Sequence, residues 1–239
     1  MKRKVLLLGL GFWGKFWLEL LNSKENLEIV GVAGAKSELD SLADKNIKTY
    51  TDFREAIINT KADIAINVLP GILHLEADKL ALQHNMNIIT EKPLAMNIEE
   101  AEELLEEKKK YPHLKFMASQ NYRWRSHNQL IKKIILEGKI GKIQTILLNF
   151  RKQEDLQGYR KGLEQPLLQD VSIHHFDLIR FFTGKNLKSI YCQCYKPSYS
   201  EFDGKPNTEA IIEMEDNIMV NYSGTWAEEE KKLLGTENL

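Results

Sequence analysis

The sequence predicts an α/β fold in two parts: a doubly wound parallel sheet, followed by an α+β domain with a mostly antiparallel sheet. Three observations predict it. Short apolar runs alternate with segments of helical period as far as about residue 119, the rhythm of βαβ units. A glycine-rich turn, Gly9-Leu10-Gly11-Phe12-Trp13-Gly14, joins the first apolar run to the first helical segment. Beyond residue 120 the alternation gives way to two helices and several strand-like runs at hairpin spacing.

In the first part, residues 5–8, 29–33, 64–68, 87–90 and 116–119 read as strands apolar enough to be covered on both faces. Helices are predicted at 12–22, 37–44, 52–58, 72–84 and 98–109. Asp52 and Asn97 are placed to cap two of them, and Glu100 stands three residues after Asn97. In the second part, a helix at 125–137 stops at Gly138, and a strand follows at 142–153. Pro166 and Gly184 bracket another helix, 167–182. Strands are predicted at 189–195, 209–215 and 218–225, with Asp216-Asn217 as the turn between the last two. The domains are expected to be 1–120 and 121–239.

A chain of 239 residues is long enough for two cores. Its net charge of -1 argues against a broad electrostatic grip on nucleic acid or anionic lipid. The basic start Met1-Lys2-Arg3-Lys4 and the apolar run after it resemble a signal peptide. Gly9, Gly11 and Gly14 interrupt that run, and no small-residue cleavage site follows. No segment has the length of a membrane span, so a cytoplasmic protein is expected, with neither a nucleic-acid nor a membrane partner. Cys192 and Cys194 fall on one face of a strand with poor geometry for a mutual disulfide. They are expected to be buried free thiols, and no metal site is predicted.

The glycine turn fits G-x-G-x-x-G in the context that gives the motif its meaning, after a strand and opening a helix. Gly9 permits the tight turn, Gly11 lets backbone approach a pyrophosphate, and Gly14 allows close packing of helix on strand. Free N–H groups at the helix start meet the phosphate charge. Such folds usually hold an acidic residue about twenty positions on, against the ribose 2′-hydroxyl. Here the count lands on Gly34, with Lys36 and Ser37 close by. The expectation is therefore NADP or NAD, leaning to NADP, with Lys36 and Ser37 on the extra phosphate.

Four further motifs carry a family resemblance. Glu91-Lys92-Pro93 follows a late strand of the sheet. Pro70-Gly71-Ile72-Leu73-His74 follows the preceding one. Gln120-Asn121-Tyr122-Arg123 lies where the two parts join, and Asp170-Val171-Ser172-Ile173-His174-His175-Phe176-Asp177 lies on a helix of the second. Together these resemble the Gfo/Idh/MocA oxidoreductases, of the glucose–fructose oxidoreductase and inositol dehydrogenase type, with an N-terminal Rossmann domain. Gly71 stands where that family has Asn, and Ser172 where it has Gly. Family members usually continue further, so either a fragment or a shortened member is expected, with an apparently shortened second sheet.

The resemblance implies reversible hydride transfer between a nicotinamide cofactor and a secondary alcohol of a sugar, cyclitol or related small molecule. It implies that Lys92, Asp170 and His174 line the nicotinamide side of an interdomain cleft. His174 is expected as general base, Asp170 as the group that orients it, and Lys92 as the cation on the reacting oxygen. Gly9, Gly11, Phe12, Trp13, Gly14, Lys36, Ser37, Leu69, Pro70, His74, Glu91 and Lys92 are the expected cofactor contacts. Lys92, His174, Tyr122, Arg123, Tyr159 and Arg160 are the expected substrate contacts, Arg123 being equally an interdomain salt-bridge candidate. Helical spacing independently sets Asp170, His174 and Asp177 on one face and turns His175 away. Family members commonly associate through a face of the second sheet, so a homo-oligomer is expected. Two other activities occur on this fold: a ligand-sensing regulator without catalysis, and a glycosidase that uses bound NAD transiently.

Overall fold

Val5, Leu6, Leu7 and Leu8 are each fully buried, and their side chains alternate between two separate cores. That places β1 (Arg3–Leu8) at the centre of a sheet covered on both faces. The computed structural model describes residues 2–42, 47–153 and 162–227, in two units divided after Gln120.

In the first unit β1 is joined by β2 (Leu27–Ala33), β3 (Lys48–Tyr50), β4 (Ile64–Asn67), β5 (Asn87–Thr90) and β6 (Phe116–Ala118). All pairings are parallel and the strand order is β3-β2-β1-β4-β5-β6. The sequence reading missed β3, whose three residues Lys48, Thr49 and Tyr50 are too few and too polar to register as an apolar run. Helices α1 (Phe12–Asn22), α2 (Lys36–Leu39), α3 (Phe53–Asn59), α4 (His74–Gln83) and α5 (Ile98–Lys109) connect the strands. Leu18 and Leu21 of α1 pack with Val5, Leu7 and Val32, while Ala77, Ala81 and Leu104 of α4 and α5 pack with Leu6, Leu8 and Ile88. Asp52 and Asn97 cap as expected, accepting from Arg54 N–H and Glu100 N–H, each at 2.8 Å. The helix expected at 37–44 is a single turn followed by a 3-10 turn, Asp40–Leu42; its last two residues lie outside the described ones. The helix expected from 72 opens as a 3-10 turn, Gly71–Leu73.

In the second unit a 3-10 turn, Asn121–Trp124, leads into α6 (Ser126–Leu136). The sheet is formed by β7 (Thr145–Arg151), β8 (Leu187–Tyr195), β9 (Asn207–Met214) and β10 (Met219–Thr225), in the order β7-β10-β9-β8. Only β7 with β10 is parallel. Asp216 and Asn217 both take left-handed φ, 58° and 59°, as a tight hairpin between β9 and β10 requires. The helix expected over 167–182 is not uniform. It begins as a π turn, Leu168–Ser172, and becomes α7 (Ile173–Thr183), closed by Gly184 at φ 67°.

Cys192 is exposed and Cys194 half-buried, which corrects the expectation of buried thiols. They lie on β8, a strand with one paired neighbour, and edge position leaves them accessible. No helix among the described residues is long and apolar enough to cross a membrane.

Candidate functional site

The order of the first sheet reverses between β1 and β4, the place where open α/β sheets bind ligands. The two strand ends meet there through backbone. Gly9 has φ 103°, and a Cβ on it would stand 2.7 Å from the Val68 carbonyl oxygen. A Cβ on Gly14 would stand 2.3 Å from the Gly9 carbonyl oxygen, closer than any side chain survives. These two glycines are required by space. Gly11 differs: its side is open, and the nearest atom to a Cβ there is Glu38 Oε1 at 3.7 Å. No side chain caps α1, and its first turn holds no acidic residue, so its N–H groups suit an anion. Phe12 and Trp13 are exposed beside them, with their rings edge to face at 5.2 Å.

Glu38 is a residue that sequence reasoning missed. Its carboxylate accepts from Ala35 N–H at 3.2 Å and lies 3.4 Å from where a Gly34 Cβ would be. The reading that no carboxylate stands at this corner is therefore corrected. Counting to the strand end reached Gly34, whereas the acid comes from the first turn of α2, four residues on. Lys36 and Ser37 are both exposed on that turn.

His74 is also reassigned. It is 1% exposed, and its ring nitrogens lie 2.7 Å from the Pro93 carbonyl oxygen and 2.8 Å from that of Leu69. An imidazole engaged at both nitrogens by backbone holds two loops together and has no edge left for a dinucleotide. The loops it joins carry Leu69-Pro70 after β4 and Glu91-Lys92-Pro93 after β5. Leu69 N–H meets Asn67 Oδ1 at 3.2 Å, and Asn67 donates to Asp78 at 2.8 Å. Burial pushes the Asp78 carboxyl up to about 6, opposed by the Asn67 amide and the nearby His74. Lys92 is half-buried at the end of β5; its N–H donates to the Glu91 carboxylate at 3.2 Å, and Glu91 N–H donates to the Asn67 carbonyl at 2.8 Å.

In the second unit four buried polar residues, Asp170, Ser172, His174 and His175, lie on the π turn and the first turn of α7. Asp170 and His174 are 5% and 7% exposed. The His174 ring is stacked on Tyr122, with centroids 4.5 Å apart and planes 11° from parallel. Arg125 sits over the same tyrosine at 3.6 Å; two planar groups so close occupy opposite faces, so Tyr122 is held between them. Arg123 grips Asp177 through two bonds of 2.5 and 2.6 Å. That fork lies within one unit and engages Nε and Nη2 of the guanidinium, so this ion pair is not the interdomain salt bridge that Arg123 offered. The same pair shows why Asp177, though in phase with Asp170 and His174, belongs to the scaffold. Tyr159 and Arg160 lie outside the described residues.

His175 faces inward. Its Nδ1 is 3.0 Å from the Tyr222 hydroxyl, with Phe150 4.8 Å away ring to ring. Burial, then the charges of His174 and Arg125, lowers its pKa to about 4, so it is neutral at ordinary pH. Tyr222 is pushed up to about 12 by burial and also meets Ser172 Oγ at 2.8 Å. Tyr222 and Asp78 were not singled out from sequence, and Ser172 was noted only as a departure from the family pattern. The alternation of β10 signals that Tyr222 points inward, but nothing local signals its partners fifty residues away. Among the described residues no group of three or more His, Cys, Asp and Glu converges to hold a metal.

Residues 3–119 match the oxidoreductase family with an NAD-binding Rossmann fold, and residues 128–237 match the Gfo/Idh/MocA C-terminal domain. The chain belongs to the Gfo/Idh/MocA oxidoreductase family. Among its relatives are an oxidoreductase of Bacillus subtilis, 23% identical over 89% of this chain and 64% of that protein, and inositol 2-dehydrogenase of Arthrobacter sp., 22% identical over 91% and 65%. The chain thus spans somewhat under two thirds of the length of these Gfo/Idh/MocA relatives. The fold is shared with scyllo-inositol dehydrogenase of Lactobacillus casei, solved with NAD(H) and scyllo-inositol, at a TM-score of 0.82 and 23% identity over 93% of this chain and 69% of that one. A protein of Thermotoga maritima described as a probable dehydrogenase superposes at a TM-score of 0.86, with 18% identity over 94% and 69%.

Proposed function

We propose that this chain carries out NAD-dependent oxidation, and the reverse reduction, of a secondary alcohol on a polyol such as an inositol or a sugar. The observation that carries the reading is His174: a buried imidazole held face-on by Tyr122, two residues beyond a π turn that carries Asp170. Such a group suits proton removal from a hydroxyl. The dinucleotide fits the first unit on its own terms. Gly9 and Gly14 leave no room for side chains, α1 offers uncapped N–H groups to the pyrophosphate, and Glu38 suits ribose hydroxyls beside Gly11. When bound, the cofactor supplies the hydride acceptor.

The chain's own residues then divide the work. His174 takes the hydroxyl proton, and Asp170 favours the imidazolium that results. Lys92, a cation at the end of β5 in the first unit, suits the negative charge that develops on a reacting oxygen. Tyr122 fixes the plane of the imidazole. The polyol substrate class rests on the inositol dehydrogenases among the relatives. The cofactor choice rests on Glu38, whose charge repels a 2′-phosphate. Lys36, exposed on the same turn, draws the other way but is screened by solvent, so NAD is favoured and NADP remains usable.

The test is a screen of inositols, sugars and their acids with NAD and NADP, following nicotinamide reduction. His174→Ala should lose about 10²–10⁴-fold in kcat, and Lys92→Ala should abolish turnover, with dinucleotide affinity within a few-fold of wild type in both. Near wild-type turnover in either variant would remove that residue from the mechanism.

The same reading includes a homo-oligomer. The outward face of the second sheet exposes Leu147, Tyr191, Ile211 and Met219, the first three around a hollow of about 470 Å³, a surface suited to a second copy. Light scattering at micromolar concentration checks it; a monomer would contradict it.

A further inference from the structure

Ser172 has a chemical problem that glycine, the family's residue there, would not have. It is fully buried and ends the π turn, so its hydroxyl needs a partner inside the core. The partner is the Tyr222 hydroxyl at 2.8 Å, which also lies 3.0 Å from His175 Nδ1. Tyr222 stands on β10, 1% exposed, with its ring against His175 and Phe176. Room for its hydroxyl is made by Gly224, the next residue on the same face of the strand. A Cβ there would stand 2.8 Å from the Tyr222 oxygen and 2.8 Å from Leu167 Cδ2.

The donors and acceptors close without a charge. Ser172 donates to Tyr222 and Tyr222 donates to a neutral His175, or the chain runs in the opposite direction. His175 is held neutral by burial, so either direction is available. What this junction fixes is the backbone between the two groups of the proposed proton transfer. Asp170 lies two residues before Ser172 and His174 two residues after it. A π turn has a wider ring than an α turn and is held by fewer aligned bonds, so an anchor at its last residue decides how both side chains are aimed.

We infer that Tyr222 is a positioning residue: through Ser172 and His175 it locks the π turn and thereby sets the direction of Asp170 and His174. The catalytic consequence rests on the function proposed above; the lock itself does not. Tyr222→Phe leaves the Ser172 hydroxyl and His175 Nδ1 without their shared partner. Its kcat should fall about tenfold or more, while KM and NAD affinity stay within about twofold. Ser172→Ala alone should be mild, since Tyr222 keeps His175. The double variant should be no worse than Tyr222→Phe, because the orphaned hydroxyl is gone; losses that multiply would overturn the coupling.

A second readout needs no turnover. The His174 ring protons of wild type should be shifted by the Tyr122 ring stacked on them, and in Tyr222→Phe that shift should diminish. Unmoved His174 resonances in a folded Tyr222→Phe would overturn the lock. Resonances that move in Tyr222→Phe, with a wild type inactive on every polyol, would sink the proposed function and leave the lock standing.

Discussion

The two units build their polar sites by opposite means. In the first, the decisive atoms are backbone: Gly9 and Gly14 are fixed by collisions of 2.7 and 2.3 Å that any side chain would make. In the second, they are side chains joined across the fold: His174 on Tyr122, Arg123 on Asp177, and Ser172 and His175 on Tyr222. A site made of backbone is written in consecutive residues and tolerates no substitution. A site made of side-chain contacts is spread along the chain, as Ser172 with Tyr222, fifty residues apart, illustrates.

The sharpest way to break this contrast is Gly14→Ala. One added carbon forces α1 away from the Gly9 carbonyl, and dinucleotide binding should be lost altogether. The second unit's side-chain network should persist, with the His174 ring shifts unchanged. Retained NAD binding, measured by calorimetry, would show that the turn yields where the geometry says it cannot.

Next in size is an opposition in pH dependence, because each unit buries a group near the acid range that resists its charge. Asp78 rises to about 6, so the folded first unit holds that proton longer than the unfolded chain does. Its stability is fullest below about pH 4 and falls by roughly 3 kcal/mol as pH rises to about 6. His175 falls to about 4, so the folded second unit resists protonation. Its contribution is complete above about pH 6.5 and is lost, again by roughly 3 kcal/mol, as pH drops to about 4. Denaturant titrations at several pH values should show one transition strengthening and the other weakening on acidification. Asp78→Asn should flatten the first slope and His175→Gln the second. Parallel slopes in wild type would contradict both assignments.

The smallest effect concerns the corner of α2. Glu38→Gln should reduce NAD preference over NADP by about tenfold, near 1.4 kcal/mol. Lys36→Ala should weaken only NADP, by a few-fold. A wild type that prefers NADP, with Glu38→Gln unchanged, would return the choice to Lys36.

The same contrast explains what the sequence made legible. The parallel sheet, the glycine turn and the Glu91-Lys92-Pro93 loop are local signals, because a buried central strand must be continuously apolar and a backbone cradle must be glycine. β3 escaped because an edge strand of three polar residues has no periodicity to read. Glu38 escaped because it reaches the corner from a helix turn and not from the strand end where the count was made. His74 was recognisable as part of a motif, but its role required seeing the Pro93 and Leu69 carbonyls on its two nitrogens. Arg123 offered two readings, and only the fold brought it against Asp177. The π turn was invisible, since its composition is that of an α-helix and what holds it comes from β10.

The central claim, that this chain moves hydride from a secondary alcohol to NAD with His174 and Lys92 in attendance, has a direct test. Inositols and sugars deuterated at their secondary carbinol carbons are incubated with enzyme and NAD, and the reduced dinucleotide is analysed for label. The account predicts deuterium in the dinucleotide with wild type, and none with Lys92→Ala or His174→Ala although both still bind NAD. Wild type that binds NAD yet transfers no label from any polyol would contradict it. Glycoside cleavage with the label returned to the product would contradict it as well.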